Sequence, residues 1–504
     1  MQNILDRQKG LVSSYYGRLT FIVLLVGLAA YGVLSILMDG ADNLFSIQTL
    51  WGGVLLLCGA YAFWQYWEFC QKRPYWLLLF VTVFTPFRSW VTGVMGGFGV
   101  GVFAILIPMI LVFIPGIPII FQKLPLLFKR IPYCKFMLLL WALVMIYAMV
   151  YDNTVYDNYS TQTLSFRTAF AVTFNLVVVL LTGAVFYGSA TPKQLFDRFN
   201  TLLFWISAVF SVVVIAAYPF HIFTVPVEGM QRTNFIFTVP SQFAFYMSFM
   251  MVYLMGMVFY YKQAPSPRFR LQWALPLVIV LLGIAMMTSL LKNAIFATFI
   301  ASLLILGFTY IKTKTDKAKL LGQIVLGIVL FGIGLAVFQA VTDISVTGMF
   351  MDRLDNTSSM GWRFKVWDYL WSDLSPDTWL KGLGLSAASA KMRIMEGFNF
   401  TSDGYAYQVL YPHSDYLACF YDYGVTGLLV FLSLIVLLWR KGLEAAKTVL
   451  DKPYRALDVA MVALLFCFHA FCATDNLFYV VESPFWIMLT VLFVISDRMK
   501  RQWT

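Results

Sequence analysis

The 504-residue chain holds three histidines, and their surroundings separate them. His469 stands inside an apolar run, Phe468-His469-Ala470, and reads as a hydrogen-bonded core residue. His221, just after Pro219-Phe220 at the end of another apolar run, reads as interfacial. His413 lies where a polar stretch gives way to an apolar one, in Tyr411-Pro412-His413-Ser414-Asp415-Tyr416-Leu417. Pro412 suits a helix start, and Ser414 and Asp415 suit a first turn, where free N–H groups and the helix dipole favour polar and anionic side chains. An imidazole in such a place is the usual general base near neutral pH. Asp415 can orient that ring or cap the helix, and capping is the favoured reading. The six cysteines, Cys58, Cys70, Cys134, Cys419, Cys467 and Cys472, form no CxxC and share no zinc spacing with histidine. No catalytic metal and no cofactor is expected.

The second chemical group is a set of cations, and their meaning depends on which side of a membrane they occupy. The chain is 60% apolar, 18% aromatic and 12% charged, with mean hydropathy +0.77. Soluble domains carry about 25% charged residues, so this is an all-α polytopic membrane protein. A soluble enzyme, a disordered chain and a disulfide scaffold are excluded. Windows able to cross a hydrocarbon core of about 30 Å run near 19–38, 47–67, 75–92, 98–121, 133–151, 164–188, 201–220, 239–261, 273–291, 294–311, 320–341, 413–439, 457–473 and 483–496. They predict about 14 transmembrane helices, within a range of 12–14.

With the N-terminus in the cytoplasm and one crossing per window, 26 of the 36 basic residues fall inside, whereas 17 of the 25 acidic ones fall outside. Orientation follows this Lys/Arg asymmetry, so both termini are expected in the cytoplasm. The net charge of +11 is then a property of inner loops, not a sign of nucleic-acid binding. Ten cations face outward against the rule: Arg88, Arg167, Arg232, Lys292, Arg353, Arg363, Lys365, Lys381, Lys391 and Arg393. Arg88, Arg167, Arg232 and Lys292 lie close to or within apolar windows, where a cation costs roughly 2.5–3.5 kcal/mol and usually faces a polar cavity. Snorkelling to outer-leaflet phosphates is the alternative, strongest for Arg88 and Arg167. Converging outward cations point to an anionic ligand, and arginine binds phosphate through a two-pronged fork.

Residues 342–412 form one long outward connection, too long to be a simple turn and rich in Trp and Tyr. Trp362, Val366, Tyr369 and Leu370 recur at helical spacing, which predicts a short amphipathic helix at the membrane surface. The organisation expected is therefore 1–341 with helices 1–11, 342–412 as the structured outward loop, and 413–504 with helices 12–14 and a cytoplasmic tail.

His413-Ser414, nine residues, then Gly424-Val425-Thr426-Gly427 matches the pattern His-[Asn/Ser/Gln]-x9-Gly-x-x-[Gly/Thr/Tyr]. In this the chain resembles the bacterial O-antigen ligases and their polymerase relatives. Arg363, Trp367, Pro376 and Gly382-Leu383-Gly384 resemble the family's Arg–Trp–Pro–Gly-x-Gly approach to the histidine. Arg232, ahead of Val239-Pro240-Ser241-Gln242-Phe243, resembles the family's outward arginine before a helix start. Lys292 stands where many members have Ser-Arg; it keeps a cation and loses the fork.

The resemblance implies a metal-independent glycosyltransferase in the bacterial inner membrane with its site facing the periplasm. The donor would be an oligosaccharide on undecaprenyl diphosphate and the acceptor a polysaccharide or a lipid-linked acceptor, with other polysaccharide-assembly proteins as possible partners and no nucleic acid. His413 would be the base, with Arg232, Lys292, Arg363 and Arg88 on the diphosphate and Asp415, Ser414, Gly424 and Gly427 in support. Repeat-unit polymerase is slightly favoured over ligase. A transporter is the competing class, but the sequence has no paired halves of the kind many transporters show. The topology is tested by labelling: Ser402→Cys is expected to react with an impermeant thiol reagent from outside, and Thr313→Cys is expected not to. The reverse pattern would overturn the orientation.

Overall fold

The computed structural model describes residues 47–97, 109–150, 159–227, 230–237, 239–312, 317–342, 344–355, 358–394, 400–402, 405–407, 412–447, 453–477 and 484–503. Contacts divide the chain into Met1–Leu77 and Leu78–Thr504. In the first, helix α1 (Ile47–Lys72) ends on a Lys72–Glu68 pair at 3.4 Å. Helix α2 (Pro74–Gly97) begins at Pro74, whose missing N–H costs nothing in a first turn.

The larger part continues with α3 (Ile114–Arg130), α4 (Tyr133–Val150), α5 (Tyr159–Gly188) and α6 (Pro192–Ala217). A hairpin of β1 (Thr224–Val227) and β2 (Met230–Thr233) follows, then α7 (Pro240–Gln263), α8 (Leu275–Met287), α9 (Lys292–Lys312) and α10 (Lys317–Thr342). Between residues 342 and 412 come α11 (Val346–Asp355), α12 (Ser358–Ser372), α13 (Pro376–Trp379), α14 (Ala387–Ile394) and a second hairpin, β3 (Phe400–Ser402) with β4 (Tyr405–Tyr407). The chain closes with α15 (Asp415–Lys447), α16 (Tyr454–Thr474) and α17 (Phe485–Trp503).

The protein is an all-α polytopic membrane protein whose two small hairpins the periodicity did not predict. The window 19–38 and part of 98–121 lie outside the described residues, and each remaining window falls on a helix. By length and hydropathy, seven helices among the described residues are able to cross a membrane. Several apolar helices, such as Lys292–Phe308, meet the hydropathy pattern over too short a length.

Helix α16 is the central post. It is buried on nearly every side and packs against α7, α9, α15 and α17, as expected of a helix apolar all round. Gly256 of α7 faces Ala460 with no room for a Cβ, and Phe245 stacks near Phe471 at 4.2 Å. These two contacts fix α7 and α16 antiparallel. At one end of the bundle, Arg498 donates to the carbonyls of Phe186 and Ser189 at 2.9 Å, satisfying the last turn of α5. Asp197 accepts there from Tyr261 (2.9 Å) and Ser266 (2.6 Å), and Lys500 pairs with Asp458 at 2.8 Å.

At the other end α15 breaks. Gly424 has φ 66° and ψ −161°, a left-handed conformation that glycine adopts without penalty. The rings of Tyr416 and Phe431 lie 5.4 Å apart, although a straight helix would separate these residues by about 22 Å. Residues 415–423 therefore fold back on the part that follows. The break frees the carbonyls of Tyr421 and Asp422, and the N–H groups of Leu383 and Gly384 answer them at 2.9 and 3.0 Å. Gly382 (φ 71°) permits this approach, for a Cβ there would strike the backbone of Asp422 and Gly424. The Asp422 carboxylate accepts from Ser386 N (3.1 Å) and Ala388 N (2.8 Å), capping α14.

The amphipathic helix expected near Trp362–Trp371 is α12, but its stripe has a different use. Val366 and Leu370 are fully buried against Ala387, Ala388, Met392, Ala418 and Tyr421, so α12 spends that face on α14 and α15. Asp373 at its end accepts from Tyr421 Oη (2.5 Å) and pairs with Lys391 (3.0 Å). Replacing Gly424 or Gly382 with Ala is expected to cost at least about 1–3 kcal/mol in backbone strain alone, and more once the clash is counted. Gly307→Ala, with open space around it, is expected to be neutral or mildly stabilising. Thermal unfolding in detergent checks the contrast.

Candidate functional site

His413 lies just before the folded helix, with φ 51°, so it is not helical. Pro412 is accordingly not the helix start. Its carbonyl instead accepts the indole N–H of Trp367 at 2.8 Å, which pins the backbone entering His413. Ser414 is the residue before the helix, and its Oγ accepts the Leu417 N–H at 3.4 Å, as an N-cap does. Gly427 sits one turn past the break, with its Cα against the side chain of Tyr423. The motif's serine and two glycines thus shape the backbone around the histidine.

The carboxylate beside the imidazole is Asp475, which the sequence reading missed. His413 Nδ1 and Asp475 Oδ1 lie 3.5 Å apart. Asp415, the residue expected to orient the ring or cap its own helix, stands in the first turn of α15. Its Oδ2 accepts the N–H of Leu477 at 2.8 Å and so holds the turn carrying Asp475. That turn is anchored below by Asp475 N donating to Phe471 O at 2.7 Å, and Asn476 N donates to Asp475 Oδ1 at 2.8 Å. Burial pushes the Asp475 carboxyl up, but His413, the Asn476 N–H and Arg363 together outweigh it and hold it below the usual carboxylate range. Burial in turn draws the Arg363 guanidinium down, and Asp475 draws it back. Arg363 of α12 is thus the expected cation that the structure brings to the pair.

Two more expected cations reach the same end by a short path. Asn293 Nδ2 donates to Thr474 Oγ1 at 2.8 Å, so Lys292 at the start of α9 sits one residue from a group bonded to the neighbour of Asp475. Arg232 on β2 is 6% exposed. The next residue, Thr233, binds the turn before α9 twice, through N–H to Thr288 O (3.1 Å) and hydroxyl to hydroxyl (2.7 Å). The hairpin is thereby tied to the turn that leads to Lys292, with Arg232 one residue from the tie and buried.

Other expectations resolve differently. Arg88 lies in α2 and Arg167 in α5, and their side chains, with those of Arg353 and Arg393, fall outside the described set. Lys381 and Lys365 are exposed, and Lys391 is engaged by Asp373. His469 is hydrogen-bonded, its Nδ1 lying 2.7 Å from Tyr416 Oη, but it is exposed and not a core residue. His221, exposed with φ 55°, ends the short turn after α6. Beside His413, an open groove of about 800 Å³ runs between α12 and the folded part of α15, lined by Phe364, Trp367, Trp371, Ser414, Tyr416 and Phe420. Among the described residues no group of three or more His, Cys, Asp or Glu is placed to hold a metal ion.

The arrangement sets an imidazole nitrogen 3.5 Å from a carboxylate, with the Arg363 guanidinium acting on the same carboxyl, which suits a positioned base beside positive charge. Asp475→Asn is expected to fold and to reduce any His413-dependent rate by roughly 10²–10⁴-fold. The sign for stability follows from the lowered Asp475 value. Its contribution is present above about pH 4 and is lost as the pH falls through the native value, so acid unfolding curves of wild type and Asp475→Asn should converge only at low pH.

Residues 277–432 match the family model described as O-antigen ligase. The match takes in Lys292, Arg363, Trp367, His413 and Gly424, while Arg232 and Asp475 lie on either side of it. It supports the O-antigen ligase/polymerase family to which the motifs pointed. No curated protein matches the chain.

Proposed function

For a chain whose residues 277–432 match the O-antigen ligase family, we propose transfer of a glycan from undecaprenyl diphosphate to a sugar hydroxyl, on the outer face of the bacterial inner membrane. The observation that carries the reading is the His413–Asp475 pair with Arg363 acting on the same carboxyl. Lys292 and Arg232 join the proposed site as neighbours of Asn293, which bonds the end of α16, and Thr233, which bonds the turn before α9. With Asp475 on Nδ1, Nε2 takes the proton of the acceptor hydroxyl. The acceptor oxygen bonds to the anomeric carbon as the bond from that carbon to the diphosphate oxygen breaks. The electron pair leaves on the diphosphate, whose charge the three cations offset. Positive charge then builds on His413 beside Asp475, which favours the transition state over the ground state.

Orientation enters through the inner-loop cations, which place both termini in the cytoplasm. The groove beside Ser414 and Tyr416 gives a lipid-borne substrate a lateral way toward His413. Repeat-unit polymerisation is preferred slightly over ligation of a finished polymer to a lipid or protein; both reactions need the same leaving group and the same base, so the site chemistry serves either. The glycan profile of a deletion strain decides between them. Single repeat units on carrier lipid mean polymerase, and intact long chains on carrier lipid mean ligase. Arg232→Ala is expected to abolish or severely reduce transfer, and Arg232→Lys to restore it only in part, because the charge survives and the fork does not. Full activity of Arg232→Ala would remove Arg232 from the site.

A further inference from the structure

Asn476 follows the carboxylate partner of His413 and is 7% exposed. Neither Nδ2 nor Oδ1 of its side chain has a hydrogen-bond partner among the described residues. A buried amide with both ends unmatched costs the fold its full desolvation penalty, and native proteins seldom keep one without a use. Gln242, in the first turn of α7, has an unmatched Oε1 as well. The register set by Gly256 opposite Ala460 and Phe245 opposite Phe471 places Gln242 level with Thr474, two residues before Asn476. Phe237, which closes the segment after the Arg232 strand, packs on Phe243 at 6.2 Å. The unmatched Asn476 amide and the unmatched Gln242 Oε1 therefore stand at one end of the α7–α16 interface, the first next to Asp475 and the second at the helix start that follows the Arg232 hairpin.

The chemistry of these groups differs from that of their neighbours. Arg232, Lys292 and Arg363 answer negative charge, whereas an amide offers one acceptor and two donors of no net charge. That set complements a sugar ring, whose hydroxyls donate and accept side by side. We infer that Asn476, with Gln242, binds the sugar of the lipid-linked donor that carries the anomeric carbon, and so reads the glycan rather than the diphosphate. The inference rests on the transferase reading. Asp475 and Asn476, adjacent in one turn, then divide the work: the first orients the base, and the second holds the ring it acts upon.

Asn476→Leu and Gln242→Leu test this in the full chain reconstituted in lipid nanodiscs. Three probes are compared: the lipid-linked repeat unit extracted from cells lacking the protein, bare undecaprenyl diphosphate, and the repeat-unit oligosaccharide freed of lipid. Each variant is expected to weaken binding of the lipid-linked repeat unit by roughly tenfold or more and to leave bare undecaprenyl diphosphate unchanged. The melting temperature of Asn476→Leu should not fall, since two unmatched polar groups leave the interior. Unchanged affinity for the lipid-linked unit would overturn the assignment. So would equal loss for the bare diphosphate, or a lowered melting temperature with loss of both, either of which makes Asn476 a part of the phosphate site or the fold. Loss confined to the free oligosaccharide would move the amides to the acceptor and overturn the donor assignment. Wild-type protein that binds none of the three would instead refute the transferase reading itself.

Discussion

The fold of the site depends on one broken helix whose freed backbone groups had to be answered. In or near a bilayer an unpaired carbonyl costs several kcal/mol, so α15 can bend at Gly424 only because Leu383 and Gly384 supply N–H groups to Tyr421 and Asp422. The part of α15 beyond the break, 425–444, is still about 30 Å long and sufficient to cross the hydrocarbon. Residues 415–423 are thereby released from spanning and become part of the site. Ser414, just before them, caps their first turn, and Asp415, their first residue, holds the turn of Asp475. The Asp422 side chain then ties α14 to the same bend, and α12 closes over it through Val366 and Leu370.

The bend would be of little use against a mobile partner, and α16 supplies a fixed one. Its sides are filled by Ala, Leu, Val and Phe packed against four helices, so the turn at its end, 475–477, has a defined position. Asn293, next to Lys292, bonds Thr474 at the end of α16, and Thr233, next to Arg232, bonds Thr288 in the turn before α9, so both segments are held by short hydrogen bonds. A preorganised arrangement of this kind spares the reorganisation that would otherwise be needed as charge develops.

Much of this was legible in the sequence, for identifiable reasons. Apolar windows marked the helices because lipid forces backbone satisfaction and length together. His413 stood out because imidazoles are few here, and Arg232, Lys292 and Arg363 because they defy the inner-loop bias. The partner carboxylate was not legible. Asp475 lies sixty-two residues from His413 along the chain, in a short polar turn, while Asp415, two residues away, was the only neighbour that proximity could offer and read better as a cap. Nor did the pattern show that α12 would turn its stripe inward, since an amphipathic period does not say whether lipid or protein covers it. The glycines were visible as a motif, but their reason, a close backbone crossing at Gly382 and Gly424, joins segments some forty residues apart and leaves no local pattern.

The central claim is that His413 acts as a base held by Asp475 at a lipid-diphosphate site. The most direct measurement follows His413→Gln in reconstituted membranes, recording donor binding, protein abundance and the rate of glycan transfer on one preparation, with His469→Gln as the companion variant. The account predicts normal abundance and donor binding for His413→Gln, transfer reduced by about 10²–10⁴-fold, and appreciable transfer in His469→Gln. A stable His413→Gln protein that transfers glycan at near the wild-type rate would contradict it.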